Sequence, residues 1–148
     1  MINLDINIIP KKFKLPKKEK LCSQIQIDYL FANSSSFFEF PIKINWCIID
    51  EQNKFWLDKD GIQNPPIINI FATSKKYFKR AVKRNRCKRI MRECYRLNNH
   101  EFKQVLISKG KKVMVSWSYV SKNEPDFSKI EKSINVILNK CKEQMSNA

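Results

Sequence analysis

All six arginines of this chain, Arg80, Arg84, Arg86, Arg89, Arg92 and Arg96, fall between positions 80 and 96, whereas lysine supplies the positive charge everywhere else. The same window carries a helical apolar period. At about 100° per residue, Cys87, Ile90, Met91, Cys94 and Leu97 gather on one face. Arg84, Asn85, Lys88, Arg89, Arg92 and Arg96 gather opposite them, with Lys83 and Arg86 on the flanks. A helix from about Lys79 to Leu97 must therefore lay one side on a core and present the other as cations. Glu93 is the only acid between Lys79 and Arg96, so little inside the helix neutralises that face. Like charges four residues apart each cost an isolated helix roughly 0.2–0.5 kcal/mol, which makes the arrangement unfavourable without an anionic partner. Arginine offers a planar fork of donors that matches phosphate and stacks on bases, whereas lysine is a flexible point charge.

The whole chain has the same sign. Twenty-nine Lys and Arg stand against 14 Asp and Glu, a formal charge of +15, which points to a polyanionic partner, nucleic acid before an anionic membrane surface. The 148 residues suit one domain, and 43% hydrophobic residues are enough for a packed core. No apolar run approaches the ~18–20 residues of a membrane span. The opening MINLDINIIPKKFK puts its apolar residues before its lysines, the reverse of a secretory signal. Five cysteines without paired spacing read as reduced thiols, so a cytoplasmic location is expected.

Residues 1–20 read as an extended basic arm, because Lys11, Lys12, Lys14, Lys17, Lys18 and Lys20 share it with Pro10 and Pro16. One domain over 21–145 follows. Its first helix should be capped near Ser23 and run to about Asn33, with Ile27, Leu30 and Phe31 at helical spacing. On spacing alone Phe31 suits a core or a cleft equally. Alternation from Phe38 to Ile48 predicts a single strand with a free edge at Pro41, and its Phe38, Phe40 and Trp46 are read as core rather than as a base-stacking platform. A polar loop over 50–66 contains the turn Asp60–Gly61, with a weakly signalled strand at Lys54–Leu57. A buried strand is expected over Ile67–Thr73, then the arginine helix, then a helical turn over Glu101–Leu106. A strand carrying Val113, Val115, Trp117 and Tyr119 follows, and a last helix opens on a capping box of Ser128 and Glu131. The fold class is α+β.

Other chemistries find little support. His100 is the only histidine, which excludes a two-histidine mechanism, and no catalytic residue is assigned. Asp50, Glu51, Asp58 and Asp60 read as a solvated loop, and Cys87 with Cys94, seven apart, as core packing rather than a zinc site. No metal site or cofactor is expected on this chain. Two glycines cannot make a phosphate-cradling loop. A DNA-binding regulator would want a compact helix-turn-helix, and a membrane-surface helix would expose large apolar residues. Neither DNA nor membrane is expected as a partner. A ribosomal or other RNA-scaffold protein without a catalytic role stays open as the alternative.

The run Ala81-Val82-Lys83-Arg84-Asn85-Arg86-Cys87-Lys88-Arg89-Ile90-Met91-Arg92-Glu93, with Ser74-Lys75-Lys76 upstream, resembles the signature of the bacterial ribonuclease P protein component. The likeness covers roughly residues 12–140. It implies a single-domain α/β sandwich: a mostly antiparallel sheet of about four strands, about three helices, and a left-handed β-α-β crossover. It also implies a protein subunit of a ribonucleoprotein endoribonuclease, in which a large RNA with bound Mg2+ removes the 5′ leader of precursor tRNA. The partners implied are the ribonuclease P RNA and the leader. The resemblance assigns RNA contacts to Lys75, Lys76, Arg84, Asn85, Arg86, Lys88, Arg89 and Arg92. Lys79, Arg80, Lys83 and Arg96 join them as cations of the same helix. It also implies a leader cleft lined by Phe31, Lys43 and Asn45, with Ile27 standing where an aromatic is common.

Overall fold

Proline at position 41 turns the alternating run 38–48 back on itself. In the computed structural model, which describes residues 19–146 apart from 22 and 59, strand β1 covers Ser35–Glu39 and strand β2 covers Ile42–Ile49. They meet through a cis Phe40–Pro41 peptide and pair antiparallel, Phe37 opposite Ile44 and Phe38 opposite Lys43. The expected single strand is thus a hairpin, because Pro41 has no N–H to offer a ladder. The faces change with it. Phe37 packs toward the core with Ile42, Ile44 and Trp46, whereas Phe38, Phe40 and Ile48 are exposed. The core reading of Phe38 and Phe40 is therefore overturned, and that of Trp46 holds.

The sheet has the order β1-β2-β4-β3, with β3 at Ile67–Thr73 and β4 at Lys112–Tyr119. Of the four described strands only β3 and β4 run parallel to each other. Between them the chain crosses over through α2, Ala81–Asn98, and α3, His100–Lys109. Helix α3 is a full ten residues where a short turn was expected, and it stops at Gly110, whose φ of +63° suits the left-handed cap glycine allows. Helix α1 spans Gln24–Asn33 with Ser23 as its cap, as expected, and α4 spans Phe127–Ser146. Because α4 begins one residue before Ser128, the expected capping box does not form. Glu131 instead accepts from Asn98 Nδ2 at 3.0 Å, tying α4 to α2. The α+β class, four strands and mostly antiparallel pairing stand.

Two cores use the two faces of the sheet. On one, Cys87, Met91, Cys94 and Tyr95 of α2 pack with Ile130, Ile134, Ile137 and Cys141 of α4 over Ile44, Val115 and Trp117. Each large apolar side chain so buried contributes about 1.5–3 kcal/mol. Phe71, Tyr95 and Trp117 form an aromatic cluster there, and Trp117 Nε1 donates to Asn69 Oδ1 at 2.9 Å. On the other face Leu30 of α1 covers Cys47, Ile49, Ile68 and Met114. The loop 50–66 folds onto the same side: Asn53 Nδ2 donates to Tyr29 Oη at 2.8 Å, and Phe55 meets the Tyr29 ring edge-on. In place of a strand at Lys54–Leu57 there is one bridge, Leu57 to Gln63, around a turn in which Asp58 Oδ1 accepts from the amides of Asp60 and Ile62. Ahead of α1, the Leu21 amide donates to the Asn69 carbonyl at 2.6 Å along the outer side of β3. The basic arm at 1–18 lies outside the described residues.

Candidate nucleic-acid interface

The segment between β3 and α2 is built to hold cations at the end of the sheet. Ser74 Oγ accepts from the Lys76 amide at 3.0 Å, and the Ser74 carbonyl accepts from the amides of Tyr77 and Phe78, making a tight turn. Phe78 is buried and stacks on Tyr119 with centroids 5.9 Å apart. Arg84 then reaches back from the first turn of α2 and donates to the carbonyl oxygens of Phe78, at 2.9 Å, and Lys79, at 2.7 Å. The result leaves Lys75, Lys76, Lys79 and Arg80 exposed. Tyr77, Phe78, Lys79, Arg80 and Lys83 line an open pocket of about 510 Å³ with Lys122, which arrives from the β4–α4 loop. Sequence reasoning missed Lys122, since nothing local links it to α2.

Along α2 the expected division of faces is present with one exchange. Tyr95 is wholly buried, while Leu97, expected underneath, is 42% exposed. Asn85, Arg86 and Arg89 are exposed and Lys88 and Arg92 are half-buried, so the outer surface is a run of cations with an amide among them. Not every arginine is equally available. Arg84 is committed to the loop behind it, and Arg96 Nε donates to Glu93 Oε2 at 3.0 Å in a paired contact that raises the guanidinium pKa. Lys83 and Arg86 share Glu124, at 3.0 and 3.8 Å, and the Lys83 bond chiefly holds that carboxyl below its ordinary range. Lys75, Lys76, Lys79, Arg80, Lys88, Arg89 and Arg92 complete the surface.

A second surface lies on the α1 side of the sheet. Cross-strand partners share a face, so the register defines two rows there: Ser36, Asn45, Ser116 and Ile70, then Phe38, Lys43, Ser118 and Ala72. Helix α1 crosses the sheet beside the first row, from Leu21 next to Asn69 to Ser34, whose Oγ accepts from Asn45 Nδ2 at 3.4 Å. Ser116 is accordingly buried. In the second row Phe38 and Lys43 are exposed and Ser118 and Ala72 half-covered. Tyr29 on α1 faces the 50–66 loop. Two residues on, about 200° around the helix, Phe31 stands on the opposite flank, toward these rows, and is 53% exposed. Phe31 is therefore an exposed residue and not a core one. Lys43 and Asn45 stand in these rows, with Phe31 on the flank of α1 beside them. The second row ends at Ala72, two residues before Ser74–Lys76 and the cations that lead into α2.

The remaining reactive groups have quiet surroundings. Burial pushes the thiols of Cys87, Cys94 and Cys141 up to about 12 and that of Cys47 up to about 11, so they are uncharged near neutrality. Among the described residues no group of three or more His, Cys, Asp and Glu stands together as a metal site. No helix among them is long and apolar enough to cross a membrane.

The chain is similar to known proteins. A family profile described as ribonuclease P matches residues 15–142. The ribonuclease P protein components of two Porphyromonas gingivalis strains, ATCC 33277 and W83, are each 30% identical over 125 residues, covering 84% of this chain and 84% of theirs. Among solved structures, the Staphylococcus aureus RNase P protein superimposes with a TM-score of 0.55 at 16% identity, over 82% of this chain and 93% of that one. A mutant of that protein with defective mRNA degradation activity superimposes with a TM-score of 0.53 at 17% identity, over 85% and 90%.

Proposed function

The chain belongs to the ribonuclease P protein family and is the protein subunit of that ribonucleoprotein endoribonuclease, and from this premise we propose how its two surfaces divide the work. The α2 face, with Lys75, Lys76, Lys79, Arg80, Lys83, Asn85, Arg86, Lys88, Arg89 and Arg92, binds the ribonuclease P RNA. Arg84 and Arg96 act from within it, holding the loop and the helix end that carry their neighbours. The groove of Phe31, Lys43 and Asn45 takes the 5′ leader of precursor tRNA. Single-stranded RNA presents base faces for stacking and phosphates for cations, so such a groove tolerates many sequences. Hydrolysis belongs to the RNA and its magnesium ions; this chain binds, orients and neutralises. We place this work in the bacterial cytoplasm.

One observation carries the reading: a nearly single-signed outer face of α2 made rigid by a fully buried underside of Cys87, Met91, Cys94 and Tyr95. A free helix with that charge would fray, whereas a docked one presents guanidinium groups at fixed spacing. A ribosomal scaffold protein is not favoured, since the family match spans nearly the whole described chain. The test is reconstitution with a bacterial ribonuclease P RNA at low magnesium, following leader removal from precursor tRNA. Faster cleavage or tighter substrate binding is expected. No gain where another subunit of the family produces one rejects the proposal.

A further inference from the structure

We propose that Phe38 and Phe40 form a stacking platform for unpaired nucleobases, carrying the leader path past Lys43 to the free edge of the sheet. The inference rests on the leader groove argued above and adds a wall that the groove residues do not include. Phe38 is 51% and Phe40 57% exposed. Their rings meet edge to face with centroids 6.1 Å apart, so each supports the other and keeps a face open. Phe38 shares a row with Lys43, Ser118 and Ala72. Large apolar residues are costly to leave in water; Phe38 sits on β1 and Phe40 in the turn that ends it, and among the described residues β1 has no strand on its outer side.

The surroundings favour RNA over a protein partner. The row is not a continuous apolar patch: a lysine stands directly beside Phe38, and the next two side chains are small. That is the alternation of cation, low floor and ring that a sugar–phosphate chain with splayed bases requires. Glu39, next to Phe38 along β1, belongs to the opposite face and is drawn to Lys140, 3.5 Å away. Three interstrand spacings, about 14 Å, separate Ala72 from Phe38. A leader entering beside Lys75 and Lys76 has to cross the sheet before it meets the rings. Short leaders do not reach them.

The experiment uses full-length protein reconstituted with a bacterial ribonuclease P RNA and two precursor tRNAs, with leaders of about two and about ten unpaired nucleotides. Phe38→Ala and the double variant with Phe40→Ala should raise KM for the long leader about tenfold, the loss of one stacked base. The short leader and kcat should not change. Phe38→Trp should keep long-leader affinity, and quenching of a 2-aminopurine placed in the long leader should disappear only in the alanine variants. Equal affinity of wild type and variants for the long leader overturns the platform while leaving the groove in place. An equal loss for both leaders overturns it too, as a defect of folding, which circular dichroism would register. A wild-type dimer that the alanine variants abolish reassigns the rings to self-association and also overturns it. If wild type itself confers no gain on the RNA, the underlying reading falls and the platform with it.

Discussion

Arg84 donates its guanidinium to the carbonyl oxygen of Phe78, six residues earlier, at 2.9 Å. With the second bond to Lys79 this makes an arginine of the signature run a brace for the loop before α2. Arg84→Ala should therefore lower stability by about 1–2 kcal/mol, the usual worth of partly exposed charged hydrogen bonds, and Tm by roughly 3–8 °C. Arg89→Ala, at an exposed position with no partner among the described residues, should leave Tm within about 2 °C while weakening RNA binding about fivefold. Thermal unfolding and filter binding on the two variants check the contrast. Equal Tm losses would contradict the separation of brace from contact.

Glu124 holds Lys83 and Arg86 at the same time. A carboxylate lodged between two cations subtracts from the charge that a phosphate meets. Glu124→Gln should tighten RNA binding at low salt and steepen the log–log salt dependence by up to about 0.7–0.9, the contribution of one phosphate. An unchanged slope would show that Glu124 does not compete with RNA.

Glu19 is buried at 4% exposure beside Lys103, 2.6 Å from its ammonium, and burial raises its carboxyl above the ordinary range despite that pairing. The folded protein thus holds this proton to higher pH than the unfolded chain does. Its contribution to stability is fully present below the ordinary carboxylate value of 4.5 and is lost as pH rises through the raised folded value. Relative to wild type, Glu19→Gln should gain stability as pH rises from about 4 through that raised folded value. Urea titrations of both proteins across that window provide the measurement, and a constant difference would refute the sign.

The four buried thiols, Cys47, Cys87, Cys94 and Cys141, combine burial with pKa values pushed up to about 11 or 12. Iodoacetamide at about pH 8 should leave all four unmodified in the native protein and alkylate them in denaturant, because the thiolate is the reacting form. Mass spectrometry of the peptides reads this directly. Rapid native labelling at Cys87 or Cys94 would mean that α2 opens from the sheet.

The arginine helix was legible because two independent signals coincide in one window, an apolar stripe and a residue type used nowhere else. Both survive folding, since docking α2 only deepens what its period already separates. The β1–β2 hairpin was not legible for the opposite reason. Phe38, Phe40, Ile42 and Ile44 keep one alternation across Pro41, and a hairpin turn breaks the geometry without breaking the pattern. Exposed phenylalanines on an edge strand therefore read as core. Glu124 and Lys122 were invisible beside α2 because only the β4–α4 connection brings them there. Phe31 was undecidable from spacing: the flank it faces depends on which side of α1 the loop 50–66 covers, and that is fixed by tertiary contacts such as Asn53 to Tyr29.

The amide bond from Leu21 to Asn69 bears on how copies of this chain stay apart. An uncovered outer strand is a template for a neighbour's backbone. By occupying an acceptor on the β3 rim, the short segment ahead of α1 denies a stranger the start of a ladder there. Among the described residues the rim at β1 has no such guard, and the strand stops after five residues, just before Pro41. A chain crowded with cations thus keeps its sheet from growing by one borrowed bond on one side and an early stop on the other.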